Sequence, residues 1–159
     1  MDKLDESYQD LLRAIQLEPK DENAHYYLGK LLYKQKNYTG ALEFFDNAIG
    51  MVNYKSEFYI DRGMCKIEMA NFKGARSDFY KSMQLTNNNG YAQYQMARCY
   101  AAEGSKAETF DALREAKKEG LFVDVKYFTY ISKDLYFTGW AKDKDFIALI
   151  QELKFGRNK

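Results

Sequence analysis

The chain has 159 residues with 24 Lys+Arg against 23 Asp+Glu, so its formal charge is +1. That balance argues against a general phosphate-backbone binder, which needs a basic surface, and 46% hydrophobic with 16% aromatic residues excludes a disordered chain. Two cysteines cannot make a disulfide framework, no apolar run reaches the roughly 18 residues of a membrane span, and the acidic opening MDKLDESYQD is not a secretory signal. A soluble cytoplasmic protein, or a fragment of a larger one, is the expectation.

The predicted elements follow one another as helices. Residues 3–19 read as one helix closed by Pro19, the only proline of the chain. Three pairs follow. The first helix of each pair is predicted over 22–35, 56–69 and 90–103. The second is predicted over 38–51, 72–85 and 106–119. Short breaks KNY, ANF and EGS separate the partners, and Asn37, Asn71 and Ser105 there are candidate N-caps. The remainder reads as helix 123–131, a short apolar segment at 135–141 and helix 143–154. In the last of these Phe146, Leu149, Ile150 and Leu153 share one face.

The pairs repeat every 34 residues. Gly29 aligns with Gly63 and Ala97, Tyr38 with Phe72, Ala41 with Ala75, and Phe45 with Phe79 and Leu113. Small residues at these points let paired helices approach closely, and the aromatic fills the space between pairs. Cys65 and Cys99 are also 34 apart. Equivalent points of stacked helices lie about 8–10 Å apart, too far for a disulfide, so two buried thiols are expected.

This pattern resembles the tetratricopeptide repeat. The best window supplies His25, Leu28, Gly29, Tyr38, Ala41, Phe45 and Ala48. The second supplies Tyr59, Gly63, Phe72, Ala75 and Phe79. The third is weaker: Met96, Ala97, Tyr100, Leu113 and Ala116, with Thr109 where Ala is usual. Leu4, Leu11, Ala14 and Pro19 fit the second helix of a preceding repeat. The resemblance covers about residues 3–120 and implies an all-α fold, a right-handed superhelix of stacked antiparallel helix pairs. One domain over 1–159 is expected: a half repeat at 1–20, repeats at 22–55, 56–89 and 90–120, and capping helices at 121–159. A cap covers the apolar face that a last repeat leaves wet, and Phe137 and Trp140 read as part of its packing. At the other end Leu4, Tyr8, Leu11, Leu12 and Ile15 form more apolar surface than one neighbour covers. Either further repeats precede them, or this edge meets a second copy in a homodimer.

No residue constellation in the sequence points to an enzyme. His25, the one histidine, has no nucleophile or metal ligand at usable spacing and reads as a packing residue. There is no Gly-rich phosphate loop and no CxxC, and the Lys142–Asp145 charges read as solvated surface. No cofactor or metal is expected.

In proteins of the resembled family the first helices line a concave face that binds extended peptides or helices. On that face the resemblance places Asn23, Tyr26, Tyr27, Lys30 and Lys34, then Glu57, Ile60, Asp61, Met64 and Glu68, then Tyr91, Tyr94, Gln95 and Arg98. Each set advances by three or four residues along one helical stripe. The reading is a non-enzymatic scaffold that binds a protein segment through tyrosines with basic ends and an acidic middle. Tyr26 and Tyr94 have an alternative, turning inward to pack. RNA binding needs basic residues where Glu57, Asp61 and Glu68 stand, so no nucleic-acid partner is expected. Family members that hold the carboxylate tails of heat-shock chaperones use a clamp of Lys, Asn and Arg. The corresponding stripe here has only Lys30 as a base and Asp61 to repel, so no tight binding of such tails is expected.

Overall fold

In a computed structural model the described residues are 3–87, 89–121, 131 and 133–155, and side chains are described from Glu6 onward. Eight α-helices and one 3-10 turn occur among them, and no strand. They are α1 (Lys3–Leu17), α2 (Glu22–Lys34), α3 (Tyr38–Met51), α4 (Ser56–Glu68), α5 (Phe72–Leu85), α6 (Gly90–Ala102), α7 (Lys106–Lys118) and α8 (Lys144–Phe155), with the 3-10 turn at Thr138–Trp140. The predicted helices from 22 onward match within one residue at each end. The predicted helix at 123–131 lies outside the described residues except for Ile131. The side chain of Leu4 lies outside them as well.

The chain divides into two compact units, Met1–Leu85 and Thr86–Lys159. In the first, Leu28, Ala41, Phe45, Ala48, Phe58 and Cys65 form a dry core, with Tyr8, Leu11, Leu12 and Ile15 of α1 packed against its edge and only partly buried. In the second, Ala97, Phe110, Leu113 and Ala116 pack with Ile131, Phe137, Phe146, Leu149 and Leu153. Phe137 is fully buried, and the Trp140 ring meets Phe110 edge to face at 6.1 Å. Both therefore act as packing residues at the end of the chain.

The small residues do what their positions require. A Cβ on Gly29 would lie 2.8 Å from the Phe45 ring, and one on Gly63 would lie 2.6 Å from the Phe79 ring. In each pair the ring of the second helix lies directly over the backbone of the first. Cys65 and Cys99 are buried thiols, and neither is in a disulfide. Cys65 Sγ donates to the Tyr38 carbonyl at 3.1 Å, and burial pushes this thiol up to about 11.

The turns inside the pairs share a device absent from the sequence reading. Lys36, Ala70 and Gly104, each 34 apart, adopt left-handed φ of 61°, 57° and 75°. The residue after each bonds back five positions: Asn37 N–H to the Leu32 carbonyl at 2.9 Å, Asn71 to Lys66 at 2.8 Å, Ser105 to Tyr100 at 2.9 Å. These bonds satisfy carbonyls that the helix end leaves open. Asn37 and Asn71 also start the next helix, accepting from Gly40 N–H at 3.1 Å and Gly74 N–H at 3.0 Å. Ser105 makes no such side-chain bond, contrary to expectation. Asp21, not among the candidate caps, caps α2 by accepting from the Asn23 and Ala24 amides at 2.9 and 3.1 Å. Asp21→Ala should therefore cost about 1 kcal/mol and Ser105→Ala only a few tenths, a contrast readable in urea midpoints.

Candidate interaction face

Within the first unit the expected stripe residues meet between α2 and α4. The Tyr26 hydroxyl donates to Asp61 Oδ2 at 2.6 Å, and Lys30 Nζ lies 3.3 Å from the same oxygen. Lys30 Nζ also sits 5.1 Å from the centre of the Tyr26 ring. Tyr26 is only 6% exposed, stacked on Phe58 with ring centres 4.4 Å apart. The inward alternative holds for Tyr26: it ties α2 to α4 rather than offering a free hydroxyl. Asp61, half-buried, is correspondingly paired within the protein to Tyr26 and Lys30. Of the expected acidic middle, Asp61 is taken up in this bridge, while Glu57 and Glu68 stand exposed.

Burial first, and then the Asp61 carboxylate, push the Tyr26 hydroxyl above the ordinary tyrosine range. The sign of the resulting pH dependence is fixed. Below about pH 10 both folded and unfolded chains keep this proton. Above it the unfolded tyrosine ionises while the folded one does not, so stability falls with rising pH, by up to about 1.4 kcal/mol per unit. Tyr26→Phe should flatten this fall. Urea midpoints at pH 8, 10 and 11 check it, and parallel curves for the two proteins would contradict it.

The other residues of the stripe divide. Tyr27 is exposed, as are Asn23, Lys34, Glu57 and Glu68, while Ile60 and Met64 are half-buried. Asn23 Oδ1 accepts from Lys55 Nζ at 2.8 Å, and Lys55 also pairs with Glu22 at 3.1 Å. This link is a second bridge from α2 to the start of α4. Between the helices lies a hollow of about 180 Å³ lined by Lys30, Tyr33, Lys34, Phe45, Asp61 and Met64. Tyr33 and Phe45 are absent from the sequence reading of this face. Phe45 belongs to a second helix, and only packing brings its ring to the floor.

The second unit repeats the bridge. The Tyr94 hydroxyl donates to Asp134 Oδ2 at 2.6 Å, and Arg98 Nε lies 3.2 Å from that oxygen. Burial and then Asp134 raise the Tyr94 hydroxyl as Asp61 raises Tyr26. Gln95 is 2% exposed and accepts from Arg98 Nη1 at 2.7 Å. It is buried, not the open contact that was expected. The Arg98 guanidinium lies 4.6 Å from the centre of the Tyr136 ring. Tyr91 is 40% exposed. Tyr26 and Tyr94, like Lys30 and Arg98, are two 34-residue periods apart, so the repeat itself signals a shared device. Asp134 carries no such periodic signal, because it follows the last repeat.

His25 is buried beside Phe44 with ring centres 5.8 Å apart. Its Nε2 lies 3.1 Å from the Pro19 carbonyl, which only accepts, so that nitrogen carries the proton. Among the described residues no group of His, Cys, Asp or Glu could hold a metal ion. Nor is any of their helices long and apolar enough to cross a membrane.

The helix pairs, their buried rings over small residues and their recurrent turns define the tetratricopeptide-repeat fold. Residues 1–36 match the family model described as TPR repeat. The chain is 24% identical over 121 residues to the TPR repeat-containing protein MJ1428 of Methanocaldococcus jannaschii. That match takes in 76% of this chain and 19% of the relative, so the chain spans about a fifth of its length. Among solved structures, MamA is similar with a TM-score of 0.75 at 14% identity, over 96% of this chain and 93% of that one. YrrB, a tetratricopeptide-repeat protein with an unusual peptide-binding site, gives 0.70 at 15% identity, over 95% and 76%. The Yersinia enterocolitica type III secretion chaperone SycD, solved with a peptide of the translocator YopD, gives 0.60 at 17% identity, over 86% and 94%. At these identities the structures establish the fold.

Proposed function

We propose that this chain is a non-enzymatic interaction module that binds a peptide or helix of a partner protein on the face formed by first helices α2 and α4. The observation that carries the reading is the α2–α4 face. The Tyr26–Asp61–Lys30 and Lys55–Asn23 bridges hold its two helices in fixed register, while Tyr27, Lys34 and Glu57 stand exposed around a hollow with an aromatic floor. A face that is rigid before binding loses less entropy when a segment docks, and exposed tyrosine offers contact area with few rotors to freeze. YrrB and SycD, which share the fold, are proteins with a peptide-binding site and a bound peptide respectively.

The test replaces Tyr27 with a photo-crosslinking phenylalanine analogue and maps the covalent products by mass spectrometry. Crosslinks to one recurring partner segment, lost when Lys34 and Glu57 are both changed to alanine, support the reading. Crosslinks unaffected by those changes would move the contact elsewhere. A second reading rests on α1, whose Tyr8, Leu11, Leu12 and Ile15 stay partly exposed beside Leu17 at 79%. Self-association through that edge predicts a concentration-dependent mass in light scattering that Leu11→Glu abolishes.

A further inference from the structure

We infer that the α2–α4 hollow is a side-chain pocket that takes one large apolar residue of a bound segment, with an adjacent carboxylate of that segment paired to Lys34. This rests on the interaction-module reading and specifies what that face selects.

The hollow measures about 180 Å³. Small-molecule sites run from about 300 Å³ upward, whereas an apolar cavity of about 150 Å³ is enough for benzene. The space therefore suits one ring or branched aliphatic group rather than a larger ligand. Phe45 gives the floor, and the Tyr33 ring, the Met64 thioether and the lysine stems form the walls. Such a surface favours an apolar occupant, and methionine adapts to its outline.

Charge fixes the neighbour of that occupant. Lys30 and Asp61 neutralise each other at 3.3 Å, and Asp61 also holds the Tyr26 hydroxyl. Lys34 lines the same hollow, is exposed, and makes no ion pair among the described residues. The rim thus presents one net positive charge over an apolar space. An apolar residue beside Asp or Glu complements it, and one beside Lys or Arg does not. A side-chain carboxylate meets this requirement, so no free chain terminus is needed.

The experiment uses the full chain with its methionine methyl groups and backbone amides labelled for NMR. The probes are acetylated, amidated tetrapeptides Gly-Phe-Asp-Gly, Gly-Ala-Asp-Gly and Gly-Phe-Asn-Gly. The Phe-Asp probe should shift the Met64 methyl signal saturably, and the Ala-Asp probe should leave it in place. The Phe-Asn probe should bind about two- to five-fold more weakly, the range of one exposed ion pair. Lys34→Ala should erase that difference between Asp and Asn. A Met64 signal that ignores Phe-Asp, or follows Ala-Asp equally, overturns the pocket. Equal affinities for Asp and Asn in the unaltered protein overturn the role of Lys34. Crosslinks at Tyr27 combined with a silent Met64 methyl would leave the interaction face standing and remove only the pocket.

Discussion

Gly63→Ala should destabilise the first unit by about 1–3 kcal/mol, although alanine is the better helix former by about 1 kcal/mol. The added Cβ would lie 2.6, 2.9 and 3.0 Å from three carbons of the Phe79 ring. Phe79 is fully buried, so its ring has nowhere to retreat without opening a void elsewhere. Overpacking therefore outweighs propensity. Gly50 supplies the control: a Cβ there meets nothing within 4 Å, and Gly50→Ala should be neutral or stabilising by up to about 1 kcal/mol. Phe79→Leu alone leaves a cavity and should also destabilise. Gly63→Ala with Phe79→Leu should then fall short of the sum of the two single changes by about 1 kcal/mol or more, because each change relieves part of the other's fault. Urea denaturation of the four proteins measures this coupling, and strict additivity would show that the ring and the glycine do not share the space.

The other large effect is expected at Asp78. This carboxylate is 3% exposed and holds two cations: Arg62 through Nε at 2.9 Å and Nη2 at 2.6 Å, and Lys66 at 2.7 Å. Burial alone would lower the affinity of Arg62 for its proton. The bonds to Asp78, and then to Asp46, outweigh that, and the net direction is up. Asp78→Ala should cost about 3–5 kcal/mol, because it leaves partly buried cations without their shared partner. Asp46 touches the same guanidinium at 2.7 Å from a side chain 61% exposed. Asp46→Ala should cost under about 1 kcal/mol, and its effect should shrink in high salt while that of Asp78→Ala persists. Replacing Arg62, Lys66 and Asp78 together by apolar residues of similar size should restore most of the loss, since the charges and their desolvation leave together. A triple variant as weak as Asp78→Ala would mean that the network contributes more than charge compensation.

These two sites show how far the sequence alone reached. Gly63 and Phe79 were legible as a pair because both recur at 34-residue spacing and their sizes complement each other. Helix bounds were legible for the same reason: a period, a small residue and a break each mark the same frame. Asp78 was not singled out, because an aspartate inside a charged helix looks like solvated surface until the opposing Arg62 and Lys66 are placed against it. The left-handed conformation of Lys36 and Ala70 is not legible in the sequence, because neither residue type favours it and local hydrogen bonds decide it instead.

For the interaction face the division is similar. The sequence by itself determined which residues share the first-helix stripe and that tyrosines, lysines and acids alternate on it, since helical periodicity fixes azimuth. It did not determine which of them point to solvent. Only tertiary structure decided that Tyr26 and Gln95 are buried, that Asp61 is matched internally by Tyr26 and Lys30, and that Phe45 floors a hollow whose rim charge is Lys34. The physical reason is that azimuth is a property of one helix. Burial, pairing and cavity shape depend on the distance between helices, and small residues and bulky rings from different parts of the chain set that distance jointly.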